Sequence, residues 1–129
     1  MDEKTLTDGE SRFMEIIWEE EPVPSGRLVT LCLERLGWKK STTYTMLKRL
    51  GDKGCVRNEG GLVTTLRSRA QVRAEESARV VERSFSGSLP GFLVAFLGGK
   101  TLTEKEATEI KALIDAHTYE EDKRLKIKD

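Results

Sequence analysis

The stretch Trp38–Arg69, WKKSTTYTMLKRLGDKGCVRNEGGLVTTLRSR, decides the fold. It opens on an aromatic-basic entry, Trp38-Lys39-Lys40. A helical segment over Ser41 to Lys53 follows, and Gly54 stops it, because glycine accepts left-handed backbone at a helix end. Two strand-like pieces, Cys55–Asn58 and Leu62–Arg67, flank Gly60-Gly61, a hairpin turn signal. A helix, a glycine stop and a small hairpin form the back half of a winged helix-turn-helix. In that fold one helix enters a DNA groove and the hairpin rests on the backbone beside it.

The helical wheel separates two faces. At about 100° per residue, Thr43, Leu47 and Leu50 fall on one side, flanked by Met46 and Tyr44. That side reads as core. The other carries Ser41, Thr42, Thr45, Lys48, Arg49 and Asp52, hydroxyls and cations at the spacing needed to reach base edges and phosphates. An ordinary amphipathic surface helix has the same wheel. What separates the two readings is the surrounding sequence.

Upstream, Thr7 and Glu10 form a capping box that starts a first helix. Phe13, Met14, Ile17 and Trp18 are its apolar stripe, and Pro22 ends it near Glu20 or Glu21. Pro22-Val23-Pro24 reads as a stiff connector. Ser25 is the expected N-cap of a second helix over 26–36. Its stripe is Leu28, Val29, Cys32, Leu33 and Leu36, with Cys32 a small buried hydrophobe. Gly37 gives a tight turn into the next helix, so three short helices precede one hairpin, as a helix-turn-helix requires.

Charge follows the same division. The chain has 129 residues and a formal net charge of zero, yet residues 37–73 hold 9 basic and 2 acidic side chains. Residues 1–21 hold 2 basic and 8 acidic ones. A neutral protein with its cations gathered on one helix and hairpin carries an electrostatic footprint for nucleic acid. The candidate DNA-contacting residues are Lys39, Lys40, Ser41, Thr42, Tyr44, Thr45, Lys48, Arg49 and, on the hairpin, Arg57.

After Ser68 the pattern thins. Residues 71–86 have helical spacing but a sparse apolar set, Val72, Ala78, Val81 and Phe85. The segment 88–99 is nearly all apolar through Leu97, with Pro90 in the first turn of a short helix. A second capping box, Thr103 to Glu106, starts a last helix whose stripe is Ala107, Ile110, Leu113 and Ile114. Thin stripes around one apolar stretch do not make a self-sufficient core. The expected use of this region is to bury itself against a second copy, through Val72, Val81, Phe85, Leu89, Phe92, Leu93, Phe96, Ile110 and Leu113. The expected organisation is a winged-helix DNA-binding domain over 1–70, a helical dimerisation domain over 71–117 and a charged, disordered tail over 118–129. The fold class is mainly α with a small β-hairpin.

Several classes are excluded. One histidine, His117, and two separated cysteines, Cys32 and Cys55, give no zinc spacing and no disulfide framework. No metal or cofactor is expected. No grouping of nucleophile, base and stabiliser is present, so an enzyme is not expected. The N-terminus MDEKTLTDGE is not a signal peptide, and the run Phe92–Leu97 is far too short to span a bilayer. A soluble, cytoplasmic, reduced protein is expected. The remaining alternative to a DNA-binding repressor is a winged-helix module that uses the same face to bind a protein.

Four pieces, LTDGESRFMEIIWEE, GWKKSTTYTMLKRLGDKG, SFSGSLPGFLVAF and LTEKEATEIKALI, occur in an order and spacing that resemble the penicillinase repressors of the BlaI/MecI type, which include copper-responsive relatives. The resemblance runs from Leu6 to His117. It implies a homodimeric winged-helix repressor on palindromic operators of resistance or stress genes. It implies release by proteolysis, triggered by a membrane sensor-protease that detects β-lactam. On matching positions it implies that Thr42, Thr45, Lys48 and Arg49 contact DNA, with Tyr44 near the phosphates. The family's cleavage point is an Asn-Phe bond; the matching pair here is Ala95-Phe96. The hairpin turn looks shorter than in the familiar repressors, and Leu62-Val63-Thr64-Thr65-Leu66 lacks their aromatics. The C-x-C pairs of the copper-responsive branch are missing, which argues against copper sensing.

Overall fold

A computed structural model of the chain describes residues 5–118. Of the expected tail over 118–129, all but Thr118 lies outside the described residues. The order of elements is α1 (Asp8–Glu20), β1 (Val23–Pro24), α2 (Ser25–Leu36), α3 (Lys40–Asp52), β2 (Val56–Glu59), β3 (Leu62–Thr65), α4 (Arg69–Phe85), α5 (Leu89–Leu97) and α6 (Glu104–Ala116). The chain divides into two compact units, the first ending at Gly87 and the second beginning at Ser88.

The first unit is a winged helix-turn-helix with α4 added. Its core joins Phe13, Met14, Ile16 and Ile17 of α1, Leu28, Leu31 and Cys32 of α2, and Met46, Leu47 and Leu50 of α3. Leu6, Val23, Cys55, Val56, Val63 and Val72 complete it. Burying one such large side chain contributes about 1.5–3 kcal/mol, so this cluster holds the three helices together. The Thr7–Glu10 capping box is present as read, with Glu10 N–H donating to Thr7 Oγ1 at 3.2 Å and Thr7 N–H to Glu10 Oε1 at 2.8 Å.

Three local expectations change. The connector Val23–Pro24 is a strand, and the sheet is three-stranded and antiparallel in the order β1-β3-β2. Val23 pairs with Val63, and Pro24 occupies the edge, where its missing N–H costs no ladder bond. Ser25 does not cap α2. Pro24 is the N-cap and offers no side-chain bond, while the Ser25 hydroxyl accepts from the Tyr44 hydroxyl at 3.2 Å. The α2 stripe is also rotated, because Leu31 is buried and Leu33 is exposed. Gly37 turns left-handed at φ 69° and Gly54 at φ 76°, as their positions after α2 and α3 required.

The hairpin pairs Val56 with Thr65 and Glu59 with Leu62. Glu21, just past α1, receives the Thr65 N–H at 2.8 Å and the Thr65 hydroxyl at 2.6 Å. That carboxylate ties the hairpin to the helical layer.

α4 begins at Arg69, earlier than residue 71, because Ser68 and Gln71 form a further capping box. The S-x-x-Q spacing that signals it was present in the sequence. In the second unit Ser88 caps α5 and Thr103 caps α6, the latter with its capping box complete. Neither α5 nor α6 buries any residue. Among the described residues no helix is long and apolar enough to cross a membrane.

Candidate nucleic-acid interface

α3 turns its buried residues, Thr43, Met46, Leu47 and Leu50, into the core. That orientation fixes the opposite face. Ser41, Thr42, Tyr44, Thr45, Lys48 and Arg49 are exposed on the helix, with Lys39 and Lys40 exposed at its start and Arg57 on β2. All nine candidate residues are therefore accessible, eight of them at or within α3.

The N-terminus of α3 is electrostatically open. Its N-cap, Lys39, makes no side-chain capping bond, and its first turn holds no acidic residue. Uncapped N–H groups and the positive end of the helix dipole favour an anion there, and Lys39 and Lys40 add charge. Farther along, Tyr44, Thr45, Lys48, Arg49 and Asp52 line one open depression. A second lies between α3 and β2, where Lys48 and Asp52 face Val56 and Asn58. Lys48 makes no ion pair with any described residue. Arg57 Nε lies 3.4 Å from Glu59 Oε1, but both side chains are well exposed and such a pair holds little. Asp52 and Asn58 are additions that the linear reading did not select. Asp52 was on the correct wheel face, whereas Asn58 reaches this surface only through the fold of the hairpin.

The back of α3 is pinned. Lys53, its C-cap, places Nζ 2.9 Å from Glu10 Oε1 and 3.3 Å from the Thr5 carbonyl. Glu10 is fully buried. Burial pushes its carboxyl upward, but the Thr7 N–H and the Lys53 ammonium outweigh that and hold it below the usual carboxylate range. The Cys32 thiol is pushed up by burial, so it stays protonated. Cys55 is also buried and free. No group of three or more metal-ligating side chains occurs among the described residues.

The residues expected at a dimer interface separate into two groups. Val72 is 5 % exposed and belongs to the core of the first unit, because the first turn of α4 packs on α1. Its surface is spent within the chain. Val81, Phe85, Phe92 and Leu93 are half-buried, and Leu89, Phe96, Ile110 and Leu113 are exposed. Phe92 and Phe96 stack at 5.9 Å, and Lys100 Nζ lies 4.5 Å from the Phe96 ring centre. Ala95 and Phe96 are both in the body of α5, so the bond between them is helical.

The family described as penicillinase repressor matches residues 6–116. The chain is also 23% identical over 116 residues to the penicillinase repressor of Bacillus licheniformis, covering 87% of this chain and 91% of that protein. The winged helix, its exposed basic α3 face and this match along most of the chain agree. The chain belongs to the penicillinase repressor family, whose members are DNA-binding transcriptional repressors and not enzymes.

Proposed function

We propose that this protein is a cytoplasmic repressor that binds a palindromic operator as a homodimer, with the exposed face of α3 in the major groove. The observation that carries the reading is the accessibility of Ser41, Thr42, Thr45, Lys48 and Arg49 on one face of a helix whose other face is core. Hydroxyls and a lysine reach phosphates, and an arginine can pair with a guanine edge. The hairpin, with Arg57, would rest on the adjoining backbone.

Dimerisation is supported by α5 and α6. A palindrome presents two half-sites, and joining two copies multiplies affinity without new contacts. The apolar residues Leu89, Phe96, Ile110 and Leu113 are candidates for that interface. The regulated genes, on this reading, serve β-lactam resistance or another stress response.

Release by a membrane sensor-protease would act at Ala95-Phe96. Cutting there separates α6 from the rest and divides the interface. The bond lies inside α5, so local unwinding must precede the cut. A protease site built for an amide side chain would discriminate against Ala95, so the cognate enzyme must accept a small apolar residue. Mass spectrometry of the protein after β-lactam treatment of its native host decides this. A fragment ending at Ala95 supports release by cleavage, and an intact chain beside an induced target gene rejects it.

The central test is a gel-shift titration against the DNA upstream of the chain's own gene, at several salt concentrations. Binding should weaken steeply, with a slope of about −0.9 per phosphate contacted. Salt-independent binding, or none, would point to a protein-binding module instead.

A further inference from the structure

A set of contacts gathers where α4 begins. The Trp18 indole N–H donates to the Arg67 carbonyl at 2.9 Å. Two residues on, the Arg69 guanidinium lies over the Trp18 ring, 5.6 Å from its centre, and reaches Glu15 Oε2 at 2.8 Å. Arg73 approaches the other Glu15 oxygen at 3.7 Å. Val72, between them in sequence, is buried in the core. The Arg67 side chain turns forward to Glu75, which also meets Arg79 at 3.7 Å.

An exposed ion pair alone would fix nothing. Here four different restraints meet within two helical turns. A buried valine sets the depth of α4. The indole N–H fixes the backbone just before it. A planar guanidinium held between an indole face and a carboxylate sets its rotation. The Ser68–Gln71 capping box sets its first turn. At the far end the backbone is of another kind. Ser86 and Gly87 are both left-handed, at φ 49° and 80°, and the compact unit stops there. Between the two ends runs a helix of 17 residues, a lever of about 25 Å at 1.5 Å per residue.

We propose that α4 is a rigid extension of the DNA-binding unit, with Glu15, Trp18 and Arg69 as positioning residues, and that this lock restricts the half-site spacing the repressor accepts. The joint between the winged helix and α4 is held by these restraints, so the freedom left to each subunit begins beyond the C-cap of α4. One joint per subunit allows a narrower range of separations and rotations than two. The clause about spacing rests on the dimeric reading above; the clause about α4 does not.

The test uses the full-length protein. A duplex selected by the wild type from a random pool is lengthened or shortened at its centre by one to three base pairs. Each added pair rotates one half-site by about 35° relative to the other. Wild type should lose about tenfold or more per step, as paired binding fails. The double variant Glu15→Ala/Arg69→Ala should bind an isolated half-site as wild type does, yet lose only about threefold across the series, a milder failure of the same pairing. Equal spacing profiles for the two proteins would overturn the proposal. Should the selected duplexes contain no paired half-sites, the dimeric reading fails, and hydrogen exchange decides the remainder. Amides 72–76, the first with helical acceptors, should then be as protected as those of the interior of α1 at every protein concentration, and deprotected in Val72→Ala and in the double variant. Protection that falls on dilution, or that survives both variants, would overturn the lock.

Discussion

α1 and α6 are each 13 residues long and each starts on a threonine-glutamate capping box. α1 buries Phe13, Met14, Ile16 and Ile17, while α6 buries nothing. The same local chemistry thus ends in two different states. A capping box and a periodic stripe make a helix, but the stripe contributes stability only where another surface covers it. In the first unit α2, α3 and the sheet cover it. In the second, Phe96, Leu113 and Ile114 stay more than half exposed, so their stripe is not covered within the described residues.

The sharpest way to break that comparison is a matched pair of truncations. Phe13→Ala should cost about 3–5 kcal/mol, because it empties a closed core. Denaturant unfolding followed by Trp18 and Trp38 fluorescence should show that loss at every protein concentration. Phe96→Ala should leave the first unit's transition alone and weaken self-association, seen as a lower dimer fraction in light scattering on dilution. A wild-type chain that is monomeric at all concentrations would remove the distinction.

Lys53→Met comes next. It strands a fully buried carboxylate, and since Lys53 is itself partly exposed the loss should be about 2–3 kcal/mol. The pair also sets an acid limit. Glu10 titrates below its ordinary value of 4.5, so its contribution is complete above that pH and is lost as pH falls through the lowered native value. Acid unfolding of wild type should therefore steepen below about pH 4.5, and Glu10→Gln should flatten that limb. An identical acid limb in the variant would show that other carboxylates control it.

Arg49→Ala probes the interface without touching the core. Loss of a guanine contact should cost about 1–3 kcal/mol of operator binding and relax one base position, with unfolding unchanged. Uniform weakening on all sequences would assign Arg49 to phosphate. Unchanged affinity would remove it from the interface.

The smallest effect compares the two caps. Thr103→Ala should cost α6 about 1 kcal/mol. Thr7→Ala should cost the first unit more, because the lost Oγ1 holds the Glu10 backbone and so places the buried carboxylate that Lys53 meets. Equal losses in calorimetry would mean that the buried pair tolerates the missing cap.

Local sequence determined what depends on neighbours a few residues apart. The capping boxes at Thr7 and Thr103, the left-handed turns at Gly37 and Gly54, the hairpin at Gly60-Gly61 and the two faces of α3 were all legible, because helix and turn chemistry acts within about one turn. The accessibility of Ser41, Thr42, Thr45, Lys48 and Arg49 followed from the core face opposite them, whereas Tyr44, read at the flank of that core face, is exposed. Long-range pairing decided the rest. Val23–Pro24 became a strand only because β3 offered an edge, and Ser25 left its cap position for a hydroxyl 19 residues away. Val72 went to the core of the first unit because α1 presented Trp18 and Glu15 where α4 starts. Such contacts join positions about 50 residues apart, as Trp18 and Arg67 do, and no periodicity records them. The sequence alone fixed which helices form and which faces are apolar; tertiary structure alone decided which of those faces are already covered, because burial is a property of the pair of surfaces and not of either one.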